Sequence, residues 1–133
     1  MNENCLFCKI ITGVIPSSIV YEDAEFFAFL DIHPVAKGHT LLIPKTHHVW
    51  MHDTPDEILA KAFVTAKILM NTMRANIPCD YVQISVVGKD IPHFHIHLIP
   101  RFFNDTIPQS PTVNYSSDEE MKVFALKLAN PRN

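Results

Sequence analysis

Between Thr54 and Asn76, apolar residues recur three and four positions apart: Ile58, Leu59, Ala62, Phe63, Ala66, Leu69, Met70 and Met73. That spacing stacks them on one face of an α-helix and reads as a core-facing stripe. Thr54 suits the N-cap, Pro55 the first helical position, and Glu57 completes a capping box. The helix is expected to end near Asn76, before Pro78. Elsewhere the chain offers short runs rich in β-branched and aromatic residues. "SIVYED" (18–23) and "EFFAFLD" (25–31) predict a hairpin turning through residues 22–24. "HTLLIP" (39–44), "DYVQISVV" (80–87) and residues 93–99 predict three further strands. Residues 33–39, with Pro34 and Gly38, and 88–92, between Gly88 and Pro92, read as loop and turn. An apolar segment at 5–12, closed by Gly13 and Pro16, predicts one or two helical turns. Residues 101–116 hold Pro108 and Pro111 and read as irregular, and Ser117 followed by Glu120 predicts a second capping box opening a short helix.

Short links between strands favour antiparallel pairing. The expected fold is therefore α+β: one antiparallel sheet of about five strands, a long helix packed on it, and short helices at both ends. A chain of 133 residues suits a single domain over 1–133, with a core at 4–101 and a tail at 102–133. Hydrophobic residues make up 47%, which argues against disorder, and there is no internal repeat. The net charge of −3 argues against a broad nucleic-acid surface. No apolar run has bilayer length, so no membrane step is expected. "MNENCLFCKI" lacks a basic n-region and a long apolar h-region, so no signal peptide is expected. Three cysteines, an odd and low count, point to a reducing compartment and a cytoplasmic protein.

Composition changes the picture at one point: there are eight histidines. "PHFHIHLIPR" (92–101) sets His93, His95 and His97 at alternate positions, with Phe94, Ile96 and Leu98 between and after them. In a strand the three imidazoles share a face, roughly 6–7 Å apart at the backbone, while the apolar side chains enter the core. Threonine or lysine would serve a merely wet face as well, so the pattern points to chemistry. It allows a catalytic metal site on all three rings, or a histidine nucleophile with helpers. An imidazole nitrogen can attack phosphorus to give a labile phospho-histidine that water then cleaves. A neighbouring imidazolium would stabilise charge on the phosphoryl oxygens.

"HFHIHLI" (93–99) resembles the His-x-His-x-His-x-x signature of the histidine-triad family of nucleotide hydrolases and transferases. "CLFCKIITGVIPSSIVYED", "AFLDIHPVAKGHTLLIPKTH" and "PHFHIHLIPR", in this order, are similar to the branch with an N-terminal Cys-x-x-Cys, over about residues 4–101. The resemblance implies that His95 attacks the α-phosphate of a purine nucleoside 5′-phosphate derivative. A covalent nucleotidyl-His95 would form, and water would release the nucleoside monophosphate. His97 would lie beside the phosphate and assist; a leaving amine would need a proton, for which an imidazolium near pH 7, not assigned to one residue, is a suitable donor. Asp31 would hold the ribose hydroxyls, and Leu6, Phe7, Ile10, Phe29, Leu30 and Ile32 would form the slot for the base.

Cys5-x-x-Cys8 alone is half a zinc signal. The resemblance supplies His47 and His93 as the other two ligands, with His48 an adjacent rival to His47, and implies a closed, structural zinc site. Cys79 reads as a passive thiol and His39 as a hydrogen-bonded structural residue. No chemistry attaches to His33 or His52. The stretch "SVVGKDIPH" departs from the family pattern: the loop is shorter, and Lys89 stands where glutamine is frequent. Lys89 or Ser85 is therefore expected to take part of the phosphate contact. Candidate substrates are nucleoside phosphoramidates, dinucleoside polyphosphates or adenylylated compounds. The competing reading is a nucleotide-binding regulatory or scaffold protein with little turnover. Relatives imply a homodimer.

Overall fold

A computed structural model describes residues 2–106 and 113–129. Five strands form one sheet: β1 (Ile19–Glu22), β2 (Phe26–Leu30), β3 (Thr40–Pro44), β4 (Tyr81–Ser85) and β5 (Ile96–Arg101). Their spatial order is β1-β2-β3-β5-β4, and every neighbouring pair is antiparallel. Three helices accompany them: α1 (Leu6–Ile11), α2 (Asp56–Asn76) and α3 (Asp118–Ala129). The expected α+β fold, with one long helix on an antiparallel sheet, is the observed one.

The two faces of the sheet follow from strand alternation. Phe26, Ala28, Leu30, Leu42, Ile96 and Leu98 point one way and pack with Ala62, Ala66, Leu69 and Met73 of α2 and Ala125 and Leu128 of α3. Two alanines at the centre of the helix face let α2 lie close to the strands. Phe27, Phe29, Leu41 and Ile43 point the other way and pack under α1 against Cys5, Phe7, Cys8 and Ile10. Burying side chains of this size contributes roughly 1.5–3 kcal/mol each, so α1, although only 6 residues long, is held by its packing. His97, Ile99 and Arg101 lie on that second face of β5.

Several boundaries differ from the sequence expectation. The hairpin turns one residue later: Asp23 Oδ1 accepts from the backbone N–H groups of Glu25 and Phe26 at 2.8 and 2.7 Å, so the Asx turn occupies 23–25. The Thr54 capping box does not form. Thr54 Oγ1 instead donates to the Trp50 carbonyl at 2.9 Å, closing a 3₁₀ turn at Met51–Asp53, and α2 starts at Asp56 with no side-chain cap. The second box holds in modified form: Ser117 Oγ accepts from Glu120 N–H at 3.1 Å, and Glu120 Oε1 accepts from Ser116 N–H at 2.7 Å. The fourth strand stops at Ser85, because Gly88 adopts φ +73° and Pro92 has no N–H to donate. The fifth starts at Ile96, not residue 93, so His93 and His95 precede the sheet. Residues 102–106 and 113–117 are irregular as expected; Pro108 and Pro111 fall outside the described residues.

Candidate functional site

A cavity of about 680 Å³ opens on the α1 side of the sheet. Its walls are α1, the end of β2 with the loop that follows, β3, β5, and the stretch from Ser85 to Ile91. Every residue that the sequence assigned to nucleotide binding or catalysis touches it: Leu6, Phe7, Ile10, Phe29, Leu30, Asp31, Ile32, Ser85, Lys89, His95 and His97. Leu30 reaches it only at the end of β2, since its side chain also packs in the core under α2, one strand position out of phase with Phe29. Sequence reasoning missed Val35, His39, Leu41, Ile99 and Asp90, which also line the cavity. Strand alternation was the usable signal for two of them: Ile99 is two residues beyond His97, and Leu41 pairs directly with His97 across the sheet.

The hydrogen bonds made by one nitrogen of each imidazole fix the role of the other. His95 Nδ1 lies 2.7 Å from the His93 carbonyl oxygen, which only accepts, so Nδ1 carries the proton and Nε2 keeps its lone pair. Nε2 has no hydrogen bond, and among the described residues no fully buried side-chain nitrogen lacks one, so Nε2 opens to the cavity. His93 Nε2 lies 2.9 Å from the Pro44 carbonyl oxygen, so its proton sits there and Nδ1 faces the cysteines with a lone pair. The third assignment comes from His39. Val35 N–H donates to His39 Nδ1 at 3.0 Å, which puts the His39 proton on Nε2, 2.9 Å from His97 Nδ1. His97 Nδ1 therefore accepts, and neutral His97 carries its proton on Nε2. His39 is hydrogen-bonded as expected, but it also sets the tautomer of a cavity residue.

Burial pushes His97 down to about 4, His93 to about 4 and His39 to about 3. His95 is also lowered by burial, against the opposing charges of Asp31 and Asp90. An imidazolium at His97 near pH 7 is thus not the state of the free protein, because desolvation outweighs any neighbouring anion. Asp31 accepts from His33 N–H through Oδ1 at 2.9 Å, its Oδ2 lies 3.6 Å from His39 Nε2, and burial raises its carboxyl. Ser85, opposite His97 on β4, accepts from Gln83 Nε2 at 3.0 Å, which leaves its own O–H to donate.

Cys5, Cys8, His47 and His93 form a second group, with one ligand atom from each within 4.8 Å of the others. His93 Nδ1 lies 3.4 Å from Cys5 Sγ and 3.6 Å from Cys8 Sγ, and His47 Nδ1 lies 3.3 Å from Cys8 Sγ. A tetrahedral zinc with bonds of about 2.3 Å to sulfur and 2.0–2.1 Å to nitrogen sets the S···N edge at about 3.6 Å, so the set fits a metal ion. The His93 Nε2–H bond to Pro44 orients that ring as an outer-shell partner should. His48 turns away, 2.9 Å from Thr46 Oγ1. Burial pushes the Cys8 thiol up, and a bound cation would reverse that shift. A single metal on all three histidines of the motif does not fit: His93 faces the cysteines and His95 Nδ1 is tied to a carbonyl. Asp31, His39 and His97 also cluster within 4.8 Å, but there the two rings already satisfy each other.

The HIT domain pattern matches residues 12–104. The chain belongs to the HIT family. An adenosine 5′-monophosphoramidase of Saccharomyces cerevisiae is 44% identical over 105 residues, covering 76% of this chain and 65% of that protein. An uncharacterized HIT-like protein of Methanocaldococcus jannaschii is 37% identical over 125 residues, covering 89% and 96%. Among solved structures, a Zn-bound histidine triad family protein from Mycobacterium smegmatis superposes with a TM-score of 0.84 at 30% identity, covering 96% of this chain and 94% of the other. In this HIT protein Phe7, between the two cysteines in sequence, packs edge-on against His95 with centroids 5.1 Å apart. The thiol–imidazole cluster and the cavity therefore share a wall.

Proposed function

We infer that this HIT protein hydrolyses nucleotides at the α-phosphate through a covalent nucleotidyl-His95. The observation that carries the reading is the bare Nε2 of His95, open to the cavity while Nδ1–H is anchored on the His93 carbonyl at 2.7 Å. That is the arrangement of an in-line nucleophile. Nε2 forms a bond to phosphorus as the bond to the leaving group breaks, and the leaving group departs with the electron pair and takes up a proton. Water then attacks the same phosphorus, the P–Nε2 bond breaks, and the nucleoside monophosphate leaves. His97, its ring centroid 5.0 Å from that of His95, assists through Nε2–H as a donor to a phosphoryl oxygen. Lys89 and Ser85 add contacts to the phosphate, and Asp31 receives the ribose hydroxyls. Leu6, Phe7, Ile10, Phe29 and Ile32 enclose a purine. The substrate is a nucleoside phosphoramidate, a dinucleoside polyphosphate or an adenylylated compound. The yeast relative's monophosphoramidase name supports the first.

Cys5, Cys8, His47 and His93 would hold one structural zinc, which would tie α1 to the strand end beside the nucleophile. The three cysteines are free, and among the described residues no helix is long and apolar enough to cross a membrane; both fit a cytoplasmic protein. Val64 and Ile68, 62% and 42% exposed on the outer face of α2, support a homodimer, which light scattering tests. The function itself is tested with adenosine 5′-phosphoramidate. The expected result is release of AMP by the wild type, a loss of about a thousandfold or more in His95→Ala, and retained AMP binding by that variant. A wild type that binds AMP but releases none from any of the three substrate classes would favour the scaffold reading.

A further inference from the structure

Tyr81, Gln83 and Ser85 of β4 stand opposite Arg101, Ile99 and His97 of β5, pair by pair, and share their face of the sheet. Arg101 is buried, and its fork reaches both Asp105 and Gln83. Nε and Nη2 donate to the Asp105 carboxylate at 2.9 and 2.7 Å, while Nη1 donates to Gln83 Oε1 at 2.8 Å. Asp105 is fixed in turn, because its Oδ2 also accepts from Phe102 N–H at 2.8 Å. A guanidinium can only donate, so the end of the Gln83 amide that meets it is the oxygen. The amide nitrogen then points on along the strand and donates to Ser85 Oγ at 3.0 Å. Asp105, Arg101 and Gln83 thus form a chain of fixed direction that ends on the Ser85 hydroxyl.

The direction matters because of where Ser85 stands. It lines the cavity and is the direct strand partner of His97, which puts the two side chains about 5 Å apart at Cβ. With Oγ accepting from Gln83, the single O–H of Ser85 is left to donate to a ligand. His97 is oriented in the same way from the other side, since its Nδ1 accepts from His39 at 2.9 Å and its Nε2–H remains. Two donors therefore stand side by side on one wall, each with its accepting side taken by a neighbouring N–H. They are close enough to reach the oxygens of one phosphoryl group. Beside a carboxylate, the same serine would turn its O–H onto that carboxylate and be lost as a donor.

Resting on the hydrolase reading above, we propose that Gln83 is a positioning residue: held by Arg101, it keeps the Ser85 hydroxyl a donor that acts with His97 on the phosphoryl oxygens. Among the described residues Gln83 and Arg101 do not line the cavity, so both act through Ser85. Hydrogen bonds set in advance are worth most when negative charge builds on those oxygens, so the effect belongs to kcat more than to KM.

Gln83→Glu tests this with adenosine 5′-phosphoramidate as substrate. The carboxylate keeps the Arg101 partner but accepts from the Ser85 O–H, which reverses the hydroxyl. Ser85→Ala should lower kcat about tenfold, and Gln83→Glu should lower it at least as much, with KM changed less than kcat in both. Made in the Ser85→Ala protein, Gln83→Glu should cost only about threefold, the effect of its added charge. Gln83→Met leaves the hydroxyl undirected but not reversed, and takes an acceptor from Arg101. It should be the less stable of the two Gln83 variants in thermal unfolding and yet the more active. An equal fall from Gln83→Glu with and without the Ser85 hydroxyl overturns the inference and leaves the hydrolase reading intact, as does full activity in Ser85→Ala. Activity that follows stability, with Gln83→Met below Gln83→Glu, overturns it equally and reduces Gln83 to a support for Arg101. Failure of the wild type to turn over a nucleotide of any of the three substrate classes removes both readings together.

Discussion

Lowering the pH from 7 to 5 is expected to destabilise this protein through two imidazoles in particular, His39 and His97. Both are neutral when folded, with values pushed by burial to about 3 and about 4 against an ordinary 6.5. Below 6.5 the unfolded chain therefore binds protons that the folded chain refuses. Stability rises with pH in that window and is lost as pH falls from about 6.5 towards 4. Integrated from pH 7 to 5, each group contributes a loss of about 2 kcal/mol, or about 4 kcal/mol for the pair. His93, His95 and His47 shift in the same direction and Asp31 in the opposite one, so the total alone does not isolate the pair. The variant His39→Gln does, because the amide has no proton to take up and the other groups remain in both proteins. Urea unfolding followed by circular dichroism at the two pH values gives four free energies. The wild-type loss should exceed the variant's by about 2 kcal/mol, whatever the variant's own stability at pH 7. Equal losses would mean that His39 is not a buried neutral base, and the tautomer chain from Val35 to His97 would fall with it.

Three other outcomes are expected. Gly38→Ala should cost about 2 kcal/mol in thermal or urea unfolding, since Gly38 has φ +98° and a Cβ there would lie 2.8 Å from Ile77 Cδ1 and 3.3 Å from Pro100 Cγ. Cys8→Ser should lower bound zinc, measured by mass spectrometry, from about one equivalent to well below it. It should also weaken AMP binding in calorimetry, because Phe7 carries any shift of α1 to His95. Lys89→Ala should weaken AMP binding severalfold and reduce its salt dependence; unchanged titrations at low and high salt would retire the phosphate role of that side chain.

Long-range periodicity made the architecture readable. The α2 stripe and the strand runs are set by burial, and burial is what periodicity reports. Caps and turns were harder, because polar side chains there choose among neighbours that the sequence does not display. Thr54 illustrates this, since a capping partner at Glu57 was available and its hydroxyl took the Trp50 carbonyl instead. The cavity residues came mainly from family resemblance, because an apolar residue in a slot and one in a core look alike until the strands are placed. Leu30 and Phe29 are neighbours of equal hydrophobic character, and only the direction of the pleat separates them. His39 was readable as a bonded residue but not as the partner of His97, 58 positions away, because nothing local encodes that contact.

The equal spacing of His93, His95 and His97 suggests three equivalent rings, and the structure makes them inequivalent by a simple means. The sheet begins at Ile96, so only His97 sits in a regular strand, where β3 and β4 fix its neighbours. His93 and His95 lie in the approach, where the chain is shaped by Pro92 and by the contact of Phe94 N–H with the His48 carbonyl. Each ring then spends one nitrogen on a backbone carbonyl or on His39, and the remaining nitrogen is left with either a lone pair or a proton. His93 directs a lone pair at sulfur, His95 a lone pair at the cavity, and His97 an N–H at the cavity. The metal ligand, nucleophile and hydrogen-bond donor of the proposed mechanism are thus drawn from one residue type without any difference in the side chains. It follows that His95 depends on the carbonyl of His93 more than on its own sequence neighbours. A change that rotates that peptide would expose Nδ1 or flip the tautomer, and so remove the lone pair that the proposed mechanism uses while leaving every side chain of the cavity in place.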